Sequence, residues 1–324
     1  MSIVVSVVVP TYRRPHLLKK CIDALLQQKF DKGSYEVIII SDGPDERTRE
    51  LIGQWAGYDR PLLRLVELPE KKGPAAARNH GWRNAQGQII AFTDDDCIPH
   101  MHWLQHIVAN CDPEQDVALT GRVVVPLEND RPTDHELNTT NLQTADFITA
   151  NCACTKKALE KAGGFDERFG MAWREDSDLH FNLIRNKIEI KKVKGAVVTH
   201  PVRAANWGVS IKDQKKTMYD ALLYKKHPKL FRKKIRPISP LLYYSIILSF
   251  LLLLIGLVTG REQLLVVGIV AWLSFTTLFI YKRLANTDLS AKHVTEMVVT
   301  SLVIPFASVY WQWYGAIKYR VLFI

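Results

Sequence analysis

Residues 237–260 carry no charged side chain, and after Arg261 and Glu262 residues 264–281 carry none either. The centres of the two runs read LLYYSIILSFLLLLIGLV and LLVVGIVAWLSFTTLFIY. A helix rises about 1.5 Å per residue and a bilayer's hydrocarbon layer is about 30 Å thick, so each run is long enough to cross. Two such runs in succession exceed what a soluble helix carries, and a transmembrane helical hairpin is expected over 237–283. Lys225–Arg236 lies before it, Lys282 and Arg283 follow it, and the turn holds one Arg and one Glu. Cationic loops stay on the cytoplasmic side, so both ends of the hairpin are expected in the cytoplasm.

The formal charge of +10 is concentrated in one block: Lys187 to Arg236 holds 15 Lys and Arg against Glu189, Asp213 and Asp220. Such a block suits nucleic acid or an anionic membrane surface. It has no interleaved aromatics to stack bases, and it runs directly into the hairpin. The expected partner is therefore the membrane and not nucleic acid, with 206–236 as a basic juxtamembrane segment. A third uncharged run, 297–317, contains Pro305 and the cluster YWQWY and ends at Lys318 and Arg320. Crossing outward would leave that basic end on the wrong side. An amphipathic or re-entrant helix over 284–324 is expected, with a third crossing as the alternative.

The start MSIVVSVVVPTYRR has no charged leader, and its apolar run stops at Pro10. The first domain, 1–205, is expected to stay on the cytoplasmic side of the cell inner membrane. The five cysteines (Cys21, Cys97, Cys111, Cys152 and Cys154) show no zinc-ligand spacing, and reduced thiols are expected.

Within 1–205 apolar runs alternate with helical periodicity. IVVSVVVP, EVIIISD and QIIAFTD read as buried strands and LLRLVEL as a further strand; PHLLKKCIDALLQQ and GPAAARNHGWRNA read as helices. This order implies an α/β fold, a mostly parallel sheet with helices on both faces, whose ligands bind beyond the carboxyl ends of the strands. Farther on, VALTGRVVVP, ADFITANCAC and IEIKKVKGAVVTHP read as strands. The polar stretch LENDRPTDHELNTT reads as either an active-site flap or a surface excursion.

The fourth strand runs into Asp94, Asp95 and Asp96, and the second into Asp42. Three adjacent carboxylates after a buried run repel one another unless a cation is near. Mg2+ takes one or two protein carboxylates and completes its shell with water and phosphate oxygens, which fits the cluster.

The succession VVVPTYRRP, EVIIISDGPDE, GPAAARNHGWRNAQGQIIAFTDDD, GGFDERF and WREDSDL resembles the inverting glycosyltransferases of family 2, with the Rossmann-like GT-A fold, over about residues 3–200. That resemblance implies transfer of a sugar from a nucleotide donor, a UDP-sugar by the family's commonest usage. It places Pro10, Thr11, Tyr12, Asp42, Arg78, Asp94 and Asp95 at the nucleotide-sugar, and Asp96 and His200 at a Mg2+ or Mn2+ ion. Asp176 takes the position of the catalytic base, with Trp173 and Glu175 toward the acceptor. On spacing alone, Glu175, Asp176 and Asp178 also suit the first turn of a helix, where acids meet the positive end of the macrodipole. The Gln-x-x-Arg-Trp motif of processive members is missing, so one sugar per encounter is expected. The hairpin and basic block point to a lipid-linked saccharide acceptor in surface polysaccharide or glycan assembly. A polyprenyl phosphate is the alternative acceptor.

Overall fold

A computed structural model describes residues 2–55, 61–235 and 240–322. The expected boundary at 236/237 therefore lies outside the described residues. The chain forms two compact units: Met1–Pro126 with Thr140–Val202, and Leu127–Thr139 with Arg203–Ile324.

The first unit contains β1 (Val5–Thr11), α1 (Pro15–Leu26), β2 (Tyr35–Ser41), α2 (Glu46–Gly53), β3 (Leu62–Glu67), α3 (Pro74–Arg83) and β4 (Ile89–Phe92). It continues with β5 (Ile98–Pro99), α4 (Trp103–Asn110) and β6 (Val117–Val124), and, after the excursion, β7 (Cys152–Thr155), α6 (Lys156–Ala162), α7 (Glu175–Arg185) and β8 (Glu189–Thr199). Among the described residues eight strands make one sheet in the order β3-β2-β1-β4-β7-β6-β8-β5. The half from β3 to β4 is parallel, as its runs of Val and Ile require: strands covered on both faces have no solvent side to alternate with. All seven residues of β1 and of β2 are buried. Beyond β4 the sheet is mixed, with β7 antiparallel to both β4 and β6. One core lies on each face: Leu18, Ile22, Trp103 and Leu104 on one, Trp82, Phe92, Phe165 and Leu179 on the other.

Two strand expectations change. Of ADFITANCAC only Cys152–Thr155 pairs; Thr149–Asn151 coils into a 3-10 turn. The Asn151 amide reaches the carbonyls of Arg122 and Ala196 and accepts from the Trp103 indole, locking the turn against an irregularity in the β6–β8 register. The strand ending at His200, whose stretch GAVVTHP reads as buried in the sequence, is half-buried.

The second unit holds α8 (Val209–Asp213), α9 (Met218–Lys226), α10 (Pro228–Lys234), α11 (Leu241–Thr259), α12 (Glu262–Leu284) and α13 (Ala291–Lys318). It also claims the polar excursion 127–139, which carries most of α5 (Asp134–Thr140). Asp134 is 3.0 Å from Arg283 at the end of α12, and the Asp288 amide donates to the Pro132 carbonyl. Three helices, α11, α12 and α13, are long and apolar enough to cross a membrane. In the hairpin, Gly268 lies where a Cβ would meet the Leu253 backbone and Gly256 where one would meet Leu265, so α11 and α12 pack at backbone distance. Helix α13 runs unbroken through Pro305, and its length admits either placement expected for it.

Candidate active site

Register places the acids. In the parallel pair β1–β4, Val8 lies opposite Phe92, which puts Thr11 level with Asp95 three residues on. In β1–β2, Thr11 lies opposite Ser41, which puts Tyr12 beside Asp42. In the antiparallel pair β5–β8, Ile98 lies opposite Thr199, which brings Asp96 and Cys97 to His200.

The three aspartates then go three ways. Asp94 takes a 2.7 Å bond from an Arg78 Nη. Asp95, 1% exposed, accepts from the Thr11 hydroxyl at 2.7 Å and lies 3.2 Å from Arg14. Burial pushes its carboxyl up to about 6 against the pull of Arg14 and Thr11. Asp96 faces His200, with Nε2 3.8 Å from Oδ1. Arg78 thus counters the charge of Asp94, and Arg14 that of Asp95. Arg14 went unnoticed in sequence, although TYRRP places it just beyond the strand end that carries Thr11.

One donor atom each from Asp96, Cys97 and His200 lies within 4.8 Å of the others, and all three residues are buried. His200 Nδ1 is 3.2 Å from the Pro201 carbonyl, an acceptor only. The carbonyl can only accept, so Nδ1 donates to it and Nε2 is the nitrogen that faces Asp96. Burial holds the Cys97 thiol well above its ordinary pKa. A carboxylate oxygen and an imidazole nitrogen are donors that suit Mg2+ or Mn2+.

Asp42 does something that sequence reading did not foresee. Its carboxylate accepts from the amides of Lys72 at 2.7 Å and Gly73 at 3.0 Å, bracing the turn that starts α3. Gly73 sits at φ +99, and a Cβ there would come 2.6 Å from the Gly170 carbonyl, so the turn needs glycine. Pro10 closes β1 opposite Ile40. The Tyr12 ring, half-buried, lies under the Lys71 ammonium at 3.9 Å. Lys71 is a second neighbour of the site with no sequence signal.

Arg78 is 2% exposed, and its Nη atoms are committed to Asp94 and, at 3.1 Å, to Glu175. Glu175 opens α7 and its Oε2 finds no hydrogen-bond partner among the described residues. Arg174, before it, has φ 74, unusual for a residue with a side chain, and its guanidinium stacks over the Trp173 ring at 4.6 Å. Trp173 is 37% exposed. This kink aims the first turn of α7. Asp176 is half-exposed; its Oδ1 accepts from the Ser177 amide and hydroxyl, and its Oδ2 accepts no hydrogen bond among the described residues. Burial raises the pKa of Glu175 and of Asp176, opposed by Arg78 and, for Asp176, first by the Ser177 amide. The constellation joins an acid-lined strand end to a free-edged carboxylate through one buried arginine.

Residues 6–169, half of the chain, match Glycosyl transferase family 2. Glycosyltransferase AglE of Haloferax volcanii is 37% identical over 32% of this chain and 34% of its own length. A chondroitin synthase of Escherichia coli is 27% identical over 71% of this chain and 39% of its own length. The chain therefore spans little more than a third of these curated relatives. Among solved structures, the mannosyltransferase PcManGT of Pyrobaculum calidifontis, in complex with GDP-Man and Mn2+, superposes with a TM-score of 0.54 at 17% identity, covering 98% of this chain and 86% of that one. At that identity the likeness concerns the fold.

Proposed function

The chain belongs to glycosyl transferase family 2, and from this we propose that it moves one sugar from a nucleotide-sugar donor to a hydroxyl of a lipid-linked saccharide, with inversion, at the cytoplasmic face of the cell membrane. A UDP-sugar is the donor we favour, and polysaccharide assembly is the setting, in keeping with the synthase among its relatives. The observation that carries the reading is the half-exposed Asp176, one oxygen held by Ser177 and the other open, tied through Glu175 and Arg78 to the strand end of Asp94. The apolar hairpin α11–α12 supports a membrane-borne acceptor.

In this reading Asp176 accepts the proton of the acceptor hydroxyl as its oxygen bonds to the anomeric carbon. The bond from that carbon to the diphosphate breaks on the opposite face, and the nucleoside diphosphate leaves with the electron pair. Asp96 and His200 would hold a divalent cation, which supplies positive charge where the departing diphosphate gathers negative charge. Thr11 and Arg14 hold Asp95 in place, and Asp42 holds the turn beneath Tyr12. The open face of Trp173 offers the acceptor sugar a stacking surface.

The test is nucleoside-diphosphate release by the detergent-solubilised protein over a panel of donors. Each donor is run with Mn2+, Mg2+ or EDTA, with and without membrane lipid extract. Release from one donor, dependent on metal and lipid and lost in D176N, supports the proposal. Release that survives D176N points to a lipid phosphate acceptor, whose nucleophile needs no base. No release from any donor overturns it.

A further inference from the structure

The second unit says where α13 lies. One face of this helix is joined along its length to the charged segment 208–226. Glu296 accepts from the Gly208 amide at 2.7 Å. Arg283 bonds Thr300 and Ser301 on α13 and Ser210 on α8. Lys215 lies over the Trp311 ring at 5.5 Å. Gly315 sits where a Cβ would strike the Met218 carbonyl, and Lys225 donates to the Tyr319 carbonyl at 2.8 Å. From 296 to 319 the helix advances about 35 Å, and the partner segment advances with it.

That partner holds Lys212, Asp213, Lys215, Lys216, Asp220, Lys225 and Lys226. Charged side chains are costly in the hydrocarbon layer, and a crossing by the pair would carry several of these seven through it. Segment 208–226 stays in the head groups, and α13 stays with it. The other face of α13 is apolar and open: Val299, Val303, Tyr310, Trp313, Tyr314 and Ile317 are 39–74% exposed and recur at helical spacing. Tyr and Trp at that density favour the boundary between head groups and hydrocarbon. The hairpin helices differ, with apolar residues exposed around their circumference, Leu248, Val258, Val267 and Val270 among them. Where α13 meets the hairpin, Phe306 packs on Phe250 and Ile304 on Ile246 and Phe279.

We propose that α13 lies in the plane of the membrane, its stripe from Val299 to Ile317 sunk into the leaflet whose head groups meet segment 208–226. The described chain then crosses the bilayer twice, and residue 320 returns to the side of residue 229. This rests on the membrane placement of α11–α12 proposed above, and the experiment separates the two. Single cysteines at the exposed positions Lys229, Glu262 and Arg320 are introduced into the full chain. The native cysteines are buried. A membrane-impermeant maleimide is then applied to sealed membranes of either orientation. Residues 229 and 320 label from one side and 262 from the other. If 320 labels with 262, α13 crosses and the inference is wrong, while the hairpin stands. If all three label from one side, the hairpin itself fails. Spin labels at Val299 and Trp313 give the second readout, with equal depth expected in phosphatidylcholine–phosphatidylglycerol vesicles. A crossing helix would separate them by about 21 Å. Labels shielded from lipid by a second copy of the chain would also overturn the proposal.

Discussion

Replacing Arg78 by methionine keeps most of the stem and removes the guanidinium shared by Asp94 and Glu175. The two carboxylates do not suffer equally. The Asp94 side chain is 28% exposed and retains water, whereas that of Glu175 is 5% exposed and does not. Stranding one partner of a buried pair costs about 3–5 kcal/mol, and with Asp94 discounted for screening the lower figure applies. For a unit of this size about 3 kcal/mol is a fall in Tm of roughly 6–12 °C. The loss carries a pH signature. Burial already raises the Glu175 pKa against the pull of Arg78, and R78M raises it further. A carboxyl whose folded pKa exceeds its unfolded value contributes stability that is present below about pH 4.3 and is lost as pH rises through the folded value, at about 1.4 kcal/mol per unit. The R78M deficit is therefore small near pH 5, opens above about pH 7 and reaches about 1.4 kcal/mol near pH 8, the full figure coming only near pH 9. Thermal unfolding of the solubilised protein, followed by near-ultraviolet circular dichroism at pH 5 and pH 8, measures it. The companion variant is E175Q, which removes the stranded charge. If R78M/E175Q melts as low as R78M at pH 8, the carboxylate is not the cause and the reasoning fails.

Three further outcomes follow from the site. D176N lowers sugar transfer by about a hundredfold or more while leaving the melting temperature within a degree or two, since Asn keeps the Oδ1 acceptor that Ser177 bonds; transfer assays beside a melt check both. D96A and H200A each weaken Mn2+ binding about tenfold or more, read by electron paramagnetic resonance of the free ion. G73A forces a Cβ against the Gly170 carbonyl at φ +99 and costs about 2 kcal/mol or more, seen as a Tm lower by roughly 4–8 °C.

How much of this could be read in advance depended on how far each residue's partner lies along the chain. Strands β1, β2 and β4 announced themselves because a strand covered on both faces is a continuous run of Val, Ile and Phe, and the acids fell at their ends as the fold requires. The two-residue β5 was invisible, although it alone brings Asp96 to His200. The resemblance placed His200 by position, and the register gives the physical reason. The triplet of aspartates looked like one electrostatic problem with one cation as its answer. It is three problems, because neighbouring side chains at a strand end diverge, toward Arg78 on α3, toward Arg14 past β1 and toward His200 after β8. Asn151 misled for a similar reason: its 3-10 turn is fixed by Trp103, Arg122 and Ala196, none within twenty residues of it.

The excursion 127–139 has a consequence for how the chain is made. Asp134 finds Arg283 149 residues later, and His293 and Asp288 lie farther still. At about 5–20 residues per second a ribosome needs roughly 7–30 s to cover that gap. The sheet can close around both ends of the excursion while its own partners are still unsynthesised. The segment then waits, solvated, until the second apolar helix has been made. The same arrangement warns anyone who would trim the chain to a soluble enzyme. A cut near residue 203 removes the helices and leaves residues 127–139 orphaned on the fragment, so a useful truncation has to replace that segment with a short loop as well.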